Sequence, residues 1–337
     1  MVAMRRYLVH LLLFLIGVQG FALTPAIGQS GSGDVLSALR ESVVAVRSRA
    51  VEDARSNTTL GRERLGSGVV IDEQGHILTI GYLVIEAEEV DIRVSSGATY
   101  PARVVGYDHA TGFAVLRPLL PIALRPVVIG SSEKLAQQEL MVILPFEGLG
   151  PGSATQLVSR RPFAGSWEYL LDSAIYTFPP NAAWAGAALL NQRGELVGLG
   201  SLYIRDAIAE GMFSPGNIFV PIDLLEPIQR DLVTKGVRSS GLNPWMGITP
   251  DDSNGYVAIL RVSKDGPADQ AGLRAGDFIT AVAGKEVRTL RDLYRTAWGL
   301  GSAGTRIPIE VERDGRKFPL VIKSIDRTTF FKKPDGL

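Results

Sequence analysis

The side chains that could do chemistry are few. Three histidines, His10, His76 and His109, are the only bases that titrate near neutrality in 337 residues, and there is no cysteine. That excludes disulfides, thiolate metal sites and cysteine nucleophiles. His10 sits in an N-terminal apolar run, His76 in a hairpin turn, and His109 reads as a solvated loop residue. The stretch NAAWAGAALLN at 181–191 has the small residues of a tight loop but, at Ala183 and Ala185, nothing that can attack a carbonyl. RRPFAGSWEY, with Arg160, Arg161, Phe163 and Trp167, reads as a solvated regulatory loop, with a partner-binding loop as the alternative. No Walker loop, dinucleotide fingerprint or metal-spaced His/Asp/Glu cluster appears, so no cofactor and no metal is expected. Lys plus Arg equals Asp plus Glu at 35 each, and without a basic stripe no nucleic-acid partner is expected.

The elements that must position these groups are mostly strands. Residues 1–28 place Arg5 and Arg6 before an apolar run and then small residues, the order of a secretory signal peptide. The run is short of the roughly 20 residues a spanning helix needs, so cleavage after Gly28 is the favoured reading and an uncleaved N-terminal anchor, a membrane tether, the alternative. Either makes the protein exported, to the periplasm or another extracytoplasmic space. GSGVVIDEQGHILTI and VDIRVSSGATYPARVVGYD alternate apolar and polar residues around turn signals, which predicts hairpins and a mainly β fold. IDLLEPIQRDLVTKG predicts a helix stopped by Gly236, and RSSGLN predicts a linker near residue 240. Beyond it, YVAILRV, FITAVAG, RIPIEVER and FPLVIK read as short strands around a helix that starts at Thr289, where Asp292 completes a capping box.

From GSGVVIDEQGHILTIGYLVIEAEEVDIRVSSGATYPARVVGYDHATGFAVLRP through LDSAIYTFPPNAAWAGAALLNQRGELVGLG to IDLLEPIQRDLV, the chain resembles the trypsin-like serine protease domain of the HtrA/Deg family. PWMGI followed by GYVAILRVSKDGPADQAGLRAGDFITAVAGKEVRTLRDLYRTA resembles the PDZ domain of that family. The resemblance implies a double six-stranded β-barrel at 35–238, a small α+β PDZ domain at 242–326 and a tail at 327–337. It also implies that Tyr82 stands where the family has its histidine base, Gly112 where it has the orienting aspartate and Ala185 where it has the serine nucleophile. Ala183 takes the place of the glycine whose N–H helps form the oxyanion hole, and Trp184 that of a small polar neighbour.

A phenol, a hydrogen and a methyl group at those positions lead to the expectation that the chain is not an enzyme. The resemblance then leaves the PDZ domain as the working part. Its carboxylate-binding turn would be Trp245, Met246, Gly247 and Ile248, and Leu293 and Ala297, one helical turn apart, would form the facing groove wall. The expected function is that of a non-catalytic adaptor, scaffold or chaperone-like binder of peptide or protein C-termini and unfolded polypeptides. The alternatives are a serine endopeptidase using substitute residues and a structural subunit assembling with active paralogues. The family also implies trimers formed through the N-terminal segment.

Overall fold

The computed structural model describes residues 37–332. The proposed signal segment, and the tail beyond residue 332, lie outside the described residues. Strands β1 to β6 (Val43–Ala50, Glu63–Val70, Ile77–Ile80, Ala87–Arg93, Thr99–Tyr107, Phe113–Pro118) close into a barrel in the order β1-β2-β3-β6-β5-β4. Strands β7 to β12 (Leu140–Leu144, Ser153–Gly165, Tyr169–Phe178, Ala188–Leu190, Leu196–Ile204, Gly216–Pro221) close into a second barrel in the order β7-β8-β9-β12-β11-β10. Adding six to each strand number of the first barrel gives the second, so one winding is used twice, as the double-barrel reading requires. Closure pairs every strand on both sides and removes the free edges that an open sheet would expose.

β-Branched and aliphatic residues drive this closure. Val44, Val46, Val69, Ile77, Leu78, Phe113 and Leu116 are fully buried in the first barrel, and Ile143, Ile175, Leu189, Leu199 and Phe219 in the second. Each such side chain contributes on the order of 1.5–3 kcal/mol when removed from water. Helix α1 (Glu226–Lys235) follows the barrels, and Ile228 and Leu232 are its buried residues. Gly236 ends it in the left-handed conformation, as the sequence predicts.

Beyond the linker, strands β13 to β18 (Ile248–Asp251, Val257–Val262, Phe278–Val282, Lys285–Glu286, Arg306–Arg313, Arg316–Lys323) form one antiparallel sheet in which β13 is an edge. Helix α2 (Pro267–Gln270) is a single turn. Helix α3 (Leu290–Trp298) starts with the expected capping box: the Thr289 side chain accepts from the Asp292 N–H, and the Asp292 carboxylate accepts from the Thr289 N–H. Its buried residues are Leu290, Leu293, Tyr294 and Ala297, which join Met246, Ile248, Val257 and Ile279 in the core of this domain.

The chain then returns to the first barrel as a strap. Phe330 lies on Trp245 with ring centroids 4.6 Å apart, and the Arg55 guanidinium stacks on its ring. Phe331 meets Tyr107 at 6.1 Å. The Lys332 N–H donates to Glu86 Oε1 at 2.7 Å, and its ammonium pairs with Asp53 at 2.8 Å. The third domain is therefore attached to the first barrel at both of its ends.

Candidate functional site

The 181–191 loop lies where the two barrels meet. Gly186 adopts φ +69°, and a Cβ there would fall 2.0 Å from the Ser67 carbonyl oxygen, so only glycine fits between this loop and β2. The Ser67 N–H donates to the Ala185 carbonyl at 2.8 Å and ties the loop to the first barrel. The Tyr82 turn and Gly112 are joined directly, the Gly81 N–H donating to the Gly112 carbonyl at 2.7 Å. The Tyr82 hydroxyl donates across the barrels to the Ser201 carbonyl at 2.8 Å. Burial pushes its phenol well above the usual range, against the opposing pull of a hydrogen bond with Trp184, so it stays a neutral donor. The Ala183 N–H is used by the Asn181 side chain, 2.8 Å away. Trp184 is half-buried and lies 5.7 Å from the Tyr203 ring.

A second constellation lies at the turn between β8 and β9. RRPFAGSWEY is not a solvated loop. It forms the end of β8, a three-residue turn (Ser166, Trp167, Glu168) and the start of β9, with Gly165 paired to Tyr169. The last turn residue of such a hairpin takes a left-handed conformation, and Glu168 does so at φ +59°. Its side chain is 1% exposed. One carboxylate oxygen accepts from the Met246 N–H at 2.8 Å, and the other from Gly247 at 2.7 Å and Ile248 at 3.0 Å. Three successive backbone donors thus converge on one carboxylate. Gly247 makes this possible at φ +84°, with Pro267 and Trp245 atoms 3.3 Å from where a Cβ would stand.

The hairpin is also held from behind. The Glu168 N–H donates to the Tyr294 hydroxyl at 3.2 Å, which in turn donates to the Gly165 carbonyl at 2.7 Å. Arg327 donates to the Trp167 carbonyl at 2.9 Å. Ala164 and Leu170 pack against the core that contains Leu293 and Ala297, both of which are fully buried. Trp245 is buried beneath the strap.

His109 is half-buried rather than free in a loop. Its Nε2–H donates to the Glu168 carbonyl at 3.0 Å, which leaves Nδ1 to accept from the Tyr107 hydroxyl at 3.2 Å, while Arg327 Nη1 lies 3.2 Å from both ring nitrogens. Burial, and then Arg327, hold its pKa well below the usual value. Burial raises the Glu168 carboxyl to about 7, opposed by the three N–H donors and Arg327. The sequence signal for Glu168 was local only: a charged residue in the left-handed slot of a short hairpin, with nothing to indicate its distant partner.

Residues 66–199 match the model of the trypsin-like peptidase domain, and residues 244–323 match that of the PDZ domain. A probable periplasmic serine endoprotease, DegP-like, of Ectopseudomonas mendocina is 28% identical over 284 residues, covering 78% of this chain and 57% of the relative. The periplasmic pH-dependent serine endoprotease DegQ of Escherichia coli is 27% identical, covering 79% and 60%. The chain thus spans somewhat over half the length of these curated relatives. Among solved structures, a serine endoprotease from Yersinia pestis superposes with a TM-score of 0.53 at 23% identity, over 89% of this chain and 99% of the other. The HtrA-type protease AlgW with a tripeptide gives 0.52 at 19%, over 90% and 98%. Among the described residues no helix is long and apolar enough to cross a membrane.

The relatives are named serine endoproteases, and this overturns the expectation that the chain is not an enzyme. The residue types at positions 82, 112 and 185 do not by themselves measure a rate. With both domains matched in the family's order, the chain is a trypsin-like peptidase domain followed by a PDZ domain, homologous to the HtrA, DegP and DegQ proteases.

Proposed function

We propose that this is an extracytoplasmic HtrA-type protein whose PDZ unit, 242–326, captures the C-termini of polypeptides. The turn from Trp245 to Ile248 would take the terminal carboxylate, and β13 would pair with the incoming strand. Leu293 and Ala297 would support its apolar side chains from helix α3. The observation that carries this reading is the convergence of the Met246, Gly247 and Ile248 N–H groups on a carboxylate beside an edge strand. A row of backbone donors next to an open sheet edge is the arrangement by which such domains hold a chain end. The protease-type unit, 35–238, would carry Tyr82, Gly112 and Ala185 at the positions of base, orienting acid and nucleophile.

Calorimetric titration with a decapeptide ending in valine, as the free acid and as the amide, tests the capture. The free acid should bind the more tightly, because charge-assisted hydrogen bonds are roughly twice as strong as neutral ones. Equal binding of acid and amide would overturn the assignment of the turn.

A further inference from the structure

We propose that Glu168 is a built-in ligand of the PDZ turn, so that capture of a polypeptide C-terminus is a displacement reaction in which the incoming carboxylate expels this chain's own. The proposal rests on the capture reading above and adds what regulates it.

The geometry supports displacement rather than a permanent joint. All three donors of the turn are taken by Glu168 at 2.7–3.0 Å, which leaves none for a second carboxylate. The hairpin that delivers Glu168 also blocks the approach, since Ala164 and Leu170 pack on the PDZ core and Tyr294 of helix α3 is bonded to both Gly165 and Glu168. At the rim, Arg295 of the same helix pairs with Asp172 of β9 at 2.6 Å, between exposed side chains. The contact is therefore polar at its centre and edge. A polar contact made of replaceable hydrogen bonds exchanges one carboxylate for another without leaving the donors unpaired. Glu168 is also a costly choice for a merely structural role, being a charged, non-glycine residue in the left-handed region and out of reach of water.

Displacement would also be felt elsewhere. Tyr169, the next residue, donates to the Thr111 carbonyl at 2.7 Å, beside Gly112. The Glu168 carbonyl accepts from His109 on the same loop of the first barrel. Withdrawal of the hairpin thus moves groups bonded to the segment that holds one of the three family positions.

The test compares the full chain with Glu168→Ala and Tyr294→Phe, the second of which keeps the carboxylate but loses the hydroxyl that holds the hairpin. A fluorescent decapeptide ending in valine with a free carboxylate is titrated into each, and amide hydrogen exchange of residues 165–169 is followed with and without peptide. When the binding-competent state is a minor one, apparent affinity falls by its population. Both variants should therefore bind at least about tenfold more tightly than the unmodified chain, and saturating peptide should accelerate exchange at 165–169 in the unmodified chain. Equal affinity in all three, with unchanged exchange, overturns the displacement and leaves capture standing. If no form binds, the capture reading itself falls, and the displacement with it. Should Glu168→Ala fail to fold, Tyr294→Phe and the exchange measurement decide by the same criteria.

Discussion

The carboxyl of Glu168 should make stability fall as pH rises through neutrality, the reverse of ordinary acid denaturation. In the folded chain its pKa lies at about 7, chiefly because the group is buried, against an ordinary value of 4.5. Between these two values the folded state binds the proton more than the unfolded state does. The stabilisation is therefore complete below about 4.5 and is lost as pH climbs through about 7. At about 1.36 kcal/mol per unit, the interval corresponds to on the order of 3 kcal/mol. At 1% exposure no discount for solvent screening is needed. The groups facing Glu168 are Arg327 and Tyr294, with His109 bonded to its backbone carbonyl and Tyr107 behind His109. Burial raises both phenols, Tyr107 to about 12, so neither ionises in this interval, whereas His109 titrates below its usual value and acts in the opposite sense. Thermal unfolding of the unmodified chain and of Glu168→Gln across pH 4 to 8 isolates the effect, because every other group cancels in the difference. The unmodified chain's advantage should shrink by about 3 kcal/mol from the acid to the alkaline end. Parallel curves would show that the carboxylate is ionised in the closed state, and would refute the reasoning.

His109, whose folded pKa is depressed, contributes stability that is present above its ordinary value near 6.5 and is lost as pH falls below it. Replacing it with Asn, which does not ionise, should flatten that part of the unfolding profile, and a slope unchanged by the substitution would mean that the ring is hydrated. In the PDZ domain, buried Asp277 accepts from Arg313 Nη2 at 2.7 Å and from the Arg274 N–H at 2.8 Å. Asp277→Ala removes the charge-assisted hydrogen bonds of a buried carboxylate to the half-buried Arg313 and should cost about 2 kcal/mol, read as a lowered denaturation midpoint with an unchanged denaturant slope.

The barrels and the PDZ sheet were legible because their signals are local: period-2 alternation, turn residues, and a capping box at Thr289. The assignment of Tyr82, Gly112 and Ala185 to the family's catalytic positions rests on the order of matching segments around them. Glu168 is not legible in the sequence, since its role depends on meeting the 246–248 turn some 80 residues away, and nothing in either stretch names the other. His109 escapes the sequence for the same reason: loop position suggests solvent, and only the packing of Arg327 and the hairpin half-buries it. Leu293 and Ala297 show the limit of periodicity, which identifies the inward face of a helix without saying whether a ligand or the protein itself covers it.

The strap at 327–332 changes the mechanics of the PDZ domain. A domain joined through one linker swings in any direction, whereas a body suspended at two points keeps a single free rotation, about the line between them. Both suspensions here are on the first barrel, at the linker side through the ion pair of Arg238 with Asp108 and at the far end through Lys332 with Glu86. The Glu168 hairpin, with Tyr294 and the Arg295–Asp172 pair, supplies a third region of fixation, from the second barrel. Its release would convert a clamped body into a rotor with one axis, so that occupation of a small turn is transmitted as motion in a set direction rather than as general loosening.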